Sequence, residues 1–217
     1  MRALVIDTAT AAVTAAVAVV DDDVTLLASA VTVDPRAHGE LLAPSIDRCL
    51  SEAGLTPADI GAVAVGLGPG PFTGLRVGLV TAAVFGEARG VPTYGVCSLD
   101  AIAGAVDHGG TLLVATDALR KEVYWATYVD GARVEGPSVG RPADLVVSAT
   151  AMTGSGARLY RDVLDRPLLD VDYPSPLAIA RGAAERIRRH APGEKLVPLY
   201  LRRPDAVVPG PAKPVIA

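Results

Sequence analysis

The chain has 217 residues, half of them hydrophobic and a fifth charged, the profile of a globular protein with one large domain or two small lobes. Its formal net charge of −4 argues against a stand-alone nucleic-acid binder, though not against RNA work inside a complex whose partner supplies the positive surface. Cys49 and Cys97 are too few and too unpatterned for a disulfide framework or a metal knuckle; they fit a reducing cytoplasm as small buried hydrophobes.

Leu4 to Thr8 is predicted as a strand, Val13 to Val20 as a second, and Val24 to Val33 as a third beyond the Asp21-Asp22-Asp23 turn. Asp7 interrupts the first apolar run, which lacks a basic leader, and the run from Thr8 to Val20 is too short to cross a bilayer. Neither a targeting segment nor a membrane span is expected. A helix follows from about His38 to Ala53, bent near Pro44 and stopped by Gly54. Thr56-Pro57 opens a short turn before a buried strand, Ala62 to Val65.

The next stretch, Gly66 to Gly78, is a glycine-rich turn that opens a helix reaching about Arg89. Strand, glycine turn and helix N-terminus together form a common anion cradle. This one has neither the Lys-Ser/Thr of a P-loop nor the dinucleotide spacing, and Pro69 and Pro71 remove two N–H donors. Within the helix, Gly74, Gly78, Ala82 and Gly86 recur every four residues and leave one ridge almost without side chains. Glycine costs about 1 kcal/mol in a helix interior, so the ridge needs a reason. It either packs on the chain's own sheet or lets a partner helix approach closely.

A second half repeats the first. Asp117, like Asp7, ends an apolar strand, and at the same offset Val123, Ala126 and Val129 match Val13, Ala16 and Val19. Asp130-Gly131 is a hairpin turn signal. A strand at Ala151, the turn Gly154-Ser155-Gly156, a helix to about Leu164 and a helix from Pro176 to His190 complete the half. The expected fold class is α/β, a duplicated actin-like fold of two lobes, each with a mixed sheet and helices. The expected units are 1–97, 98–203 and a mobile tail, 204–217.

Several stretches carry a family resemblance. Gly68-Pro-Gly-Pro-Phe-Thr-Gly-Leu-Arg-Val-Gly78 resembles the signature of the bacterial TsaB (YeaZ) family, which belongs to the tRNA threonylcarbamoyladenosine machinery. Val5-Ile6-Asp7-Thr8-Ala9-Thr10, Arg36 to Pro44, Asp117 to Tyr124 and Pro198 to Pro204 agree with it in order along the chain. The resemblance implies the actin-like, hexokinase-like ATPase fold. It also implies a non-catalytic scaffold in the complex that makes N6-threonylcarbamoyladenosine at position 37 of tRNAs. The implied partners are a related catalytic subunit of the TsaD family and a small ATPase of the TsaE family. tRNA would be met only through the complex, and the chain alone could form a homodimer.

In actin-like ATPases two hairpin turns hold the phosphates and acidic residues place the metal. Asp7 and Asp117 stand where those acids would be, with Thr8, Thr10 and Lys121 nearby, but neither turn contains the glycine that close phosphate approach needs. Asp7, Thr8, Thr10 and Asp117 are therefore read as a vestigial nucleotide site. Gly154 and Gly156 are its adenosine-side remnant or a plain helix-entry turn. His38, His108 and His190 lack metal-ligand spacing, and no nucleophile elbow is present, so neither catalytic residue, metal nor cofactor is expected. Ser98 is read as a helix N-cap, and Arg186, Arg188, Arg189 and His190 as complements to a helix C-terminal dipole.

The expected partner surface lies on the two helices of the first half. It comprises His38, Leu41, Leu42, Ile46 and Cys49 on the first, and Phe72, Thr73, Gly74, Leu75, Arg76, Gly78, Leu79, Ala82 and Gly86 on the second. An ATP-dependent small-molecule phosphotransferase of the same superfamily is the rival reading.

Overall fold

The computed structural model describes residues 1–202, so the expected tail at 204–217 lies outside the described residues. β1 (Arg2–Asp7), β2 (Ala12–Val20) and β3 (Val24–Val33) form an antiparallel meander. α1 (His38–Glu52) leads to β4 (Ala62–Gly66), α2 (Phe72–Arg89) and β5 (Thr93–Val96), and the two strands extend the sheet in parallel. The first sheet has the order β3-β2-β1-β4-β5. Its central strands are buried on both faces, which is why β1, β2 and β4 read as nearly unbroken apolar runs.

The second half begins with α3 (Ser98–Ala103), followed by the meander β6 (Thr111–Asp117), β7 (Val123–Val129) and β8 (Ala132–Gly140). Asp130 and Gly131 both take positive φ at the β7–β8 turn, as the sequence signal requires. β9 (Ala151–Thr153) pairs parallel with β6, giving the order β8-β7-β6-β9. α4 (Ser155–Leu159), α5 (Arg161–Leu164) and α6 (Pro176–Arg188) follow. The segment expected as one helix to Leu164 is thus two short ones, parted at Tyr160 where φ is −112°.

Each sheet is covered on both faces. Leu4, Ile6, Val63 and Val65 pack under α1 and α2, while Ala3, Val5, Ala62 and Ala64 pack under α6. In the second sheet, Leu112 and Val114 meet α3, and Leu113 and Ala115 meet α4 and α5. α6 belongs to the second half by sequence and to the first sheet by packing. Arg188 fixes its end by donating to the Asp21 and Asp22 carbonyls, and Arg186 pairs with Glu194. These arginines are engaged within the chain, and dipole complementation alone does not describe their role.

The duplication is real but its register slips. Val13 and Val123 occupy matching places, each facing the helices that follow its lobe's inner parallel strand. Thr14 then matches Tyr124, and these residues pair with Asp7 and Thr116. The second turn is one residue longer, so Asp7 is matched by Thr116 and Thr8 by Asp117. The expected equivalence of Asp7 and Asp117 is corrected: in a strand of period two, one residue of slip turns the side chain to the opposite face.

Candidate functional site

The two lobes meet at a cleft of about 500 Å³, lined by Thr8, Thr10, Arg36 and His38 on one side and by Asp117, Ser155 and Tyr173 on the other. This is the place where an actin-like ATPase would hold its nucleotide. Asp7 does not reach it. Its carboxylate is fully buried, accepting from the Ala9 N–H at 2.9 Å and from the Ser98 hydroxyl at 2.5 Å. Burial pushes its pKa up to about 6, against the opposing pull of the Ser98 and Ala9 hydrogen bonds and of His38. Ser98 is therefore the anchor of Asp7; the N-cap position of α3 is Cys97, not Ser98 as expected.

The glycine-rich turn is occupied by the chain itself. A Cβ on Gly70 would lie 2.0 Å from the Ala9 carbonyl oxygen, so this glycine exists to let the β1–β2 turn press against it. Gly68 donates its N–H to Ser98 Oγ at 3.2 Å and accepts from the Ser98 N–H at 2.8 Å. The Gly68 N–H, one of the donors that could hold a phosphate, serves an internal bond instead. Gly154 and Gly156 behave alike: a Cβ on either would strike the backbone of β6, at Ala115 and Thr116 respectively. Their role is close helix–strand packing.

Asp117 lines the cleft, and its Oδ1 accepts from the Leu119 N–H at 2.9 Å. The turn beyond it holds Leu119, Arg120 and Lys121 in succession at positive φ, an uncommon conformation for three residues that are not glycine. Among the described residues no group of three or more His, Cys, Asp or Glu is placed to hold a metal ion. Burial raises the Cys97 thiol to about 11 and Cys49 also upward, so neither carries a ready thiolate.

The second candidate surface is the outer side of α1 and α2, and here the structure sorts the expected residues. Leu42, Ile46, Cys49, Leu75 and Leu79 are buried in the first lobe's core, with Leu41 at its margin. His38 is buried too, donating from Nε2 to the Thr10 carbonyl at 2.7 Å. The small-residue ridge also faces inward. A Cβ on Gly74 would lie 2.9 Å from the Thr8 carbonyl oxygen, on Gly78 2.5 Å from Thr8 Oγ1, and on Gly86 2.6 Å from a Thr93 methyl. Ala82 is fully buried. The interface reading of Gly74, Gly78, Ala82 and Gly86 is corrected: the ridge brings α2 onto its own sheet.

Phe72, Thr73 and Arg76 are exposed at the start of α2. The strongest outward residues were not anticipated. Val80 and Val84 are 60 % and 62 % exposed on the side of α2 away from the sheet, and Val77 is half-buried beside them. The signal was present in the sequence: a helix with small residues inward and β-branched residues on the opposite side is apolar all round. α1, packed alongside, exposes Ala43 and Pro44.

A third convergence also escaped sequence reading. The starting turn of α2, the β6–β7 turn and the segment ending at Arg202 surround a cavity of about 340 Å³. Arg202 pairs with Glu122 and donates to the Ala118 carbonyl, while Tyr200 stacks on Phe72. Three stretches far apart in the chain meet there.

Residues 26–176 match the family described as TsaD: tRNA N6-adenosine threonylcarbamoyltransferase. A protein of Mycobacterium tuberculosis bearing only the name uncharacterized is 50 % identical over 203 residues, 94 % of this chain and 92 % of that one. The tRNA threonylcarbamoyladenosine biosynthesis protein TsaB of Escherichia coli is 39 % identical over 131 residues, 59 % of this chain and 55 % of that one. Among solved structures, YeaZ from Pseudomonas aeruginosa superposes with a TM-score of 0.78 at 25 % identity, covering 92 % of this chain and 99 % of the other. The fold is the duplicated actin-like one. No helix among the described residues is long and apolar enough to cross a membrane.

Proposed function

Because the chain belongs to the tRNA N6-adenosine threonylcarbamoyltransferase family, we propose that it serves tRNA threonylcarbamoyladenosine synthesis as a non-catalytic scaffold of the TsaB type. The observation that carries this reading is the outer face of α2. Val77, Val80 and Val84 form an apolar strip along it, beside the exposed Ala43 and Pro44 of α1. A related catalytic subunit of the TsaD type, built on the same duplicated fold, would lay its own equivalent helices on this strip in a pseudo-twofold contact. A small TsaE-type ATPase would join the pair, and tRNA would be met through the assembly in the cytoplasm. Without its partner the same strip would join two copies of this chain.

The cleft supports the non-catalytic half of the reading. Asp7 is sealed behind Ser98, the glycine-rich turn is packed on Ala9, and Asp117 sits in the slot of Thr8 rather than of an opposing acid. Asp7, Thr8, Thr10, Asp117, Gly154 and Gly156 are on this view the vestige of a nucleotide site.

The test is co-purification. The chain, tagged and expressed with a TsaD-type subunit, should recover it stoichiometrically, and titration of the isolated chain with Mg-ATP should give no binding heat. Recovery of no partner together with tight Mg-ATP binding and turnover would replace the scaffold by a phosphotransferase.

A further inference from the structure

Beside the mouth of the cleft, the chain carries a charge distribution opposite to its acidic whole. Phe72 and Tyr200 stack with ring centroids 5.3 Å apart, and the Arg76 guanidinium lies 4.1 Å from the Phe72 centroid while donating to the Tyr200 hydroxyl at 3.3 Å. The trio is fixed by these contacts, yet Phe72 is 48 % and Tyr200 41 % exposed. Behind it lies the 340 Å³ cavity, walled in part by Tyr124. Pro71 and Leu119 line both this cavity and the interlobe cleft, which brings Arg36 of the cleft to the same rim, and Lys121 is exposed two residues on from Leu119 in the β6–β7 turn.

None of Arg36, Arg76 and Lys121 pairs with a carboxylate among the described residues. The acids nearby are committed: Glu122 holds Arg202, and Asp117 accepts from the Leu119 N–H. Exposed rings already held in a stack, with cations around them that no carboxylate neutralises, are the combination that binds single-stranded nucleic acid. An acidic peptide would satisfy the cations but leave the stack and the cavity without a planar partner. A base with its phosphate meets both.

We propose that the Phe72–Tyr200–Arg76 stack and the cavity beside it hold an unpaired base of an RNA chain, whose phosphates are met by Arg36, Arg76 and Lys121. This rests on the scaffold reading, and it assigns to the scaffold a direct part in holding the RNA substrate.

The test uses the full chain in complex with the catalytic subunit and a labelled, unmodified tRNA transcript, titrated over a range of salt. Phe72→Ala and Tyr200→Ala are each expected to weaken RNA binding roughly tenfold, and Tyr200→Phe, which keeps the stack, to retain it. Arg76→Gln should reduce the salt slope by about one. Thermal unfolding and recovery of the catalytic subunit should match the parent chain.

Unchanged RNA affinity in all the weakening variants would overturn the proposal. So would loss of the catalytic subunit with RNA affinity retained, which would make the trio a protein contact. Displacement of the RNA by AMP at equal affinity would make it a free-nucleotide site and overturn it too. If the parent chain does not join the catalytic subunit, the scaffold reading falls separately, and ultraviolet crosslinking of the chain alone to the same transcript decides. Crosslinks lost in Phe72→Ala would sustain the RNA site; crosslinks unchanged or absent would remove it.

Discussion

The Thr8 hydroxyl bridges α2 at Gly78: it accepts from the Gly78 N–H at 2.9 Å and donates to the Gly74 carbonyl at 2.7 Å. Those two backbone groups are the ones a helix ordinarily pairs with each other. The β1–β2 turn is therefore stitched into the helix, and no Cβ can stand at position 78 without displacing the hydroxyl. Gly78→Ala should destabilise the chain by about 1–3 kcal/mol although alanine is the better helix former. In a Thr8→Ala background the same change should become neutral or stabilising. Urea unfolding of the four proteins in this cycle measures the coupling, and additive effects would remove the bridge as its cause.

Asp7 sets a pH dependence. Its folded pKa, about 6, lies above the ordinary carboxylate value of 3.8 because burial penalises the charge. The folded chain thus binds a proton more tightly than the unfolded chain. This group's contribution to stability is greatest below about pH 4, falls as pH rises to about 6, and is constant above that, a total of roughly 3 kcal/mol. Unfolding free energies of Asp7→Asn, followed from pH 4 to pH 7, should lack this decline. A variant with the same slope as the parent would contradict the assignment.

The outer strip of α2 predicts a separation of binding from folding. Val80→Glu and Val84→Glu place a charge on exposed positions and should leave thermal unfolding within about 0.5 kcal/mol of the parent. Each should greatly reduce recovery of the catalytic subunit, since a charge in the centre of an apolar contact has no water and no partner. Undiminished recovery by both variants would place the contact elsewhere.

Gly70 carries the opposite expectation. Its neighbour is the Ala9 backbone, which cannot rotate away, so Gly70→Ala should shift the whole turn and lower stability by at least about 1–3 kcal/mol. Calorimetry would read a lower unfolding temperature. If instead stability held and nucleotide affinity changed, the turn would be a ligand loop after all.

The sequence by itself determined the strands, the turns and the family. Alternation and unbroken apolar runs place β1 to β4, Asp130-Gly131 places a hairpin, and the stretch Gly68 to Gly78 carries the resemblance, because all of these are local patterns. It could not decide which way a local pattern faces. The Gly74–Gly86 ridge has the same spacing whether it meets a sheet or a partner, and only the position of Thr8 and Thr93 shows that it points inward. One residue of turn length moved Asp117 to the face opposite that of Asp7, a difference invisible in a constant offset. The Ser98–Asp7 bond, the return of α6 to the first sheet and the meeting of Tyr200 with Phe72 join residues far apart in the chain. Such contacts follow from how the two lobes fold back on one another, and no period or motif within a short window encodes them.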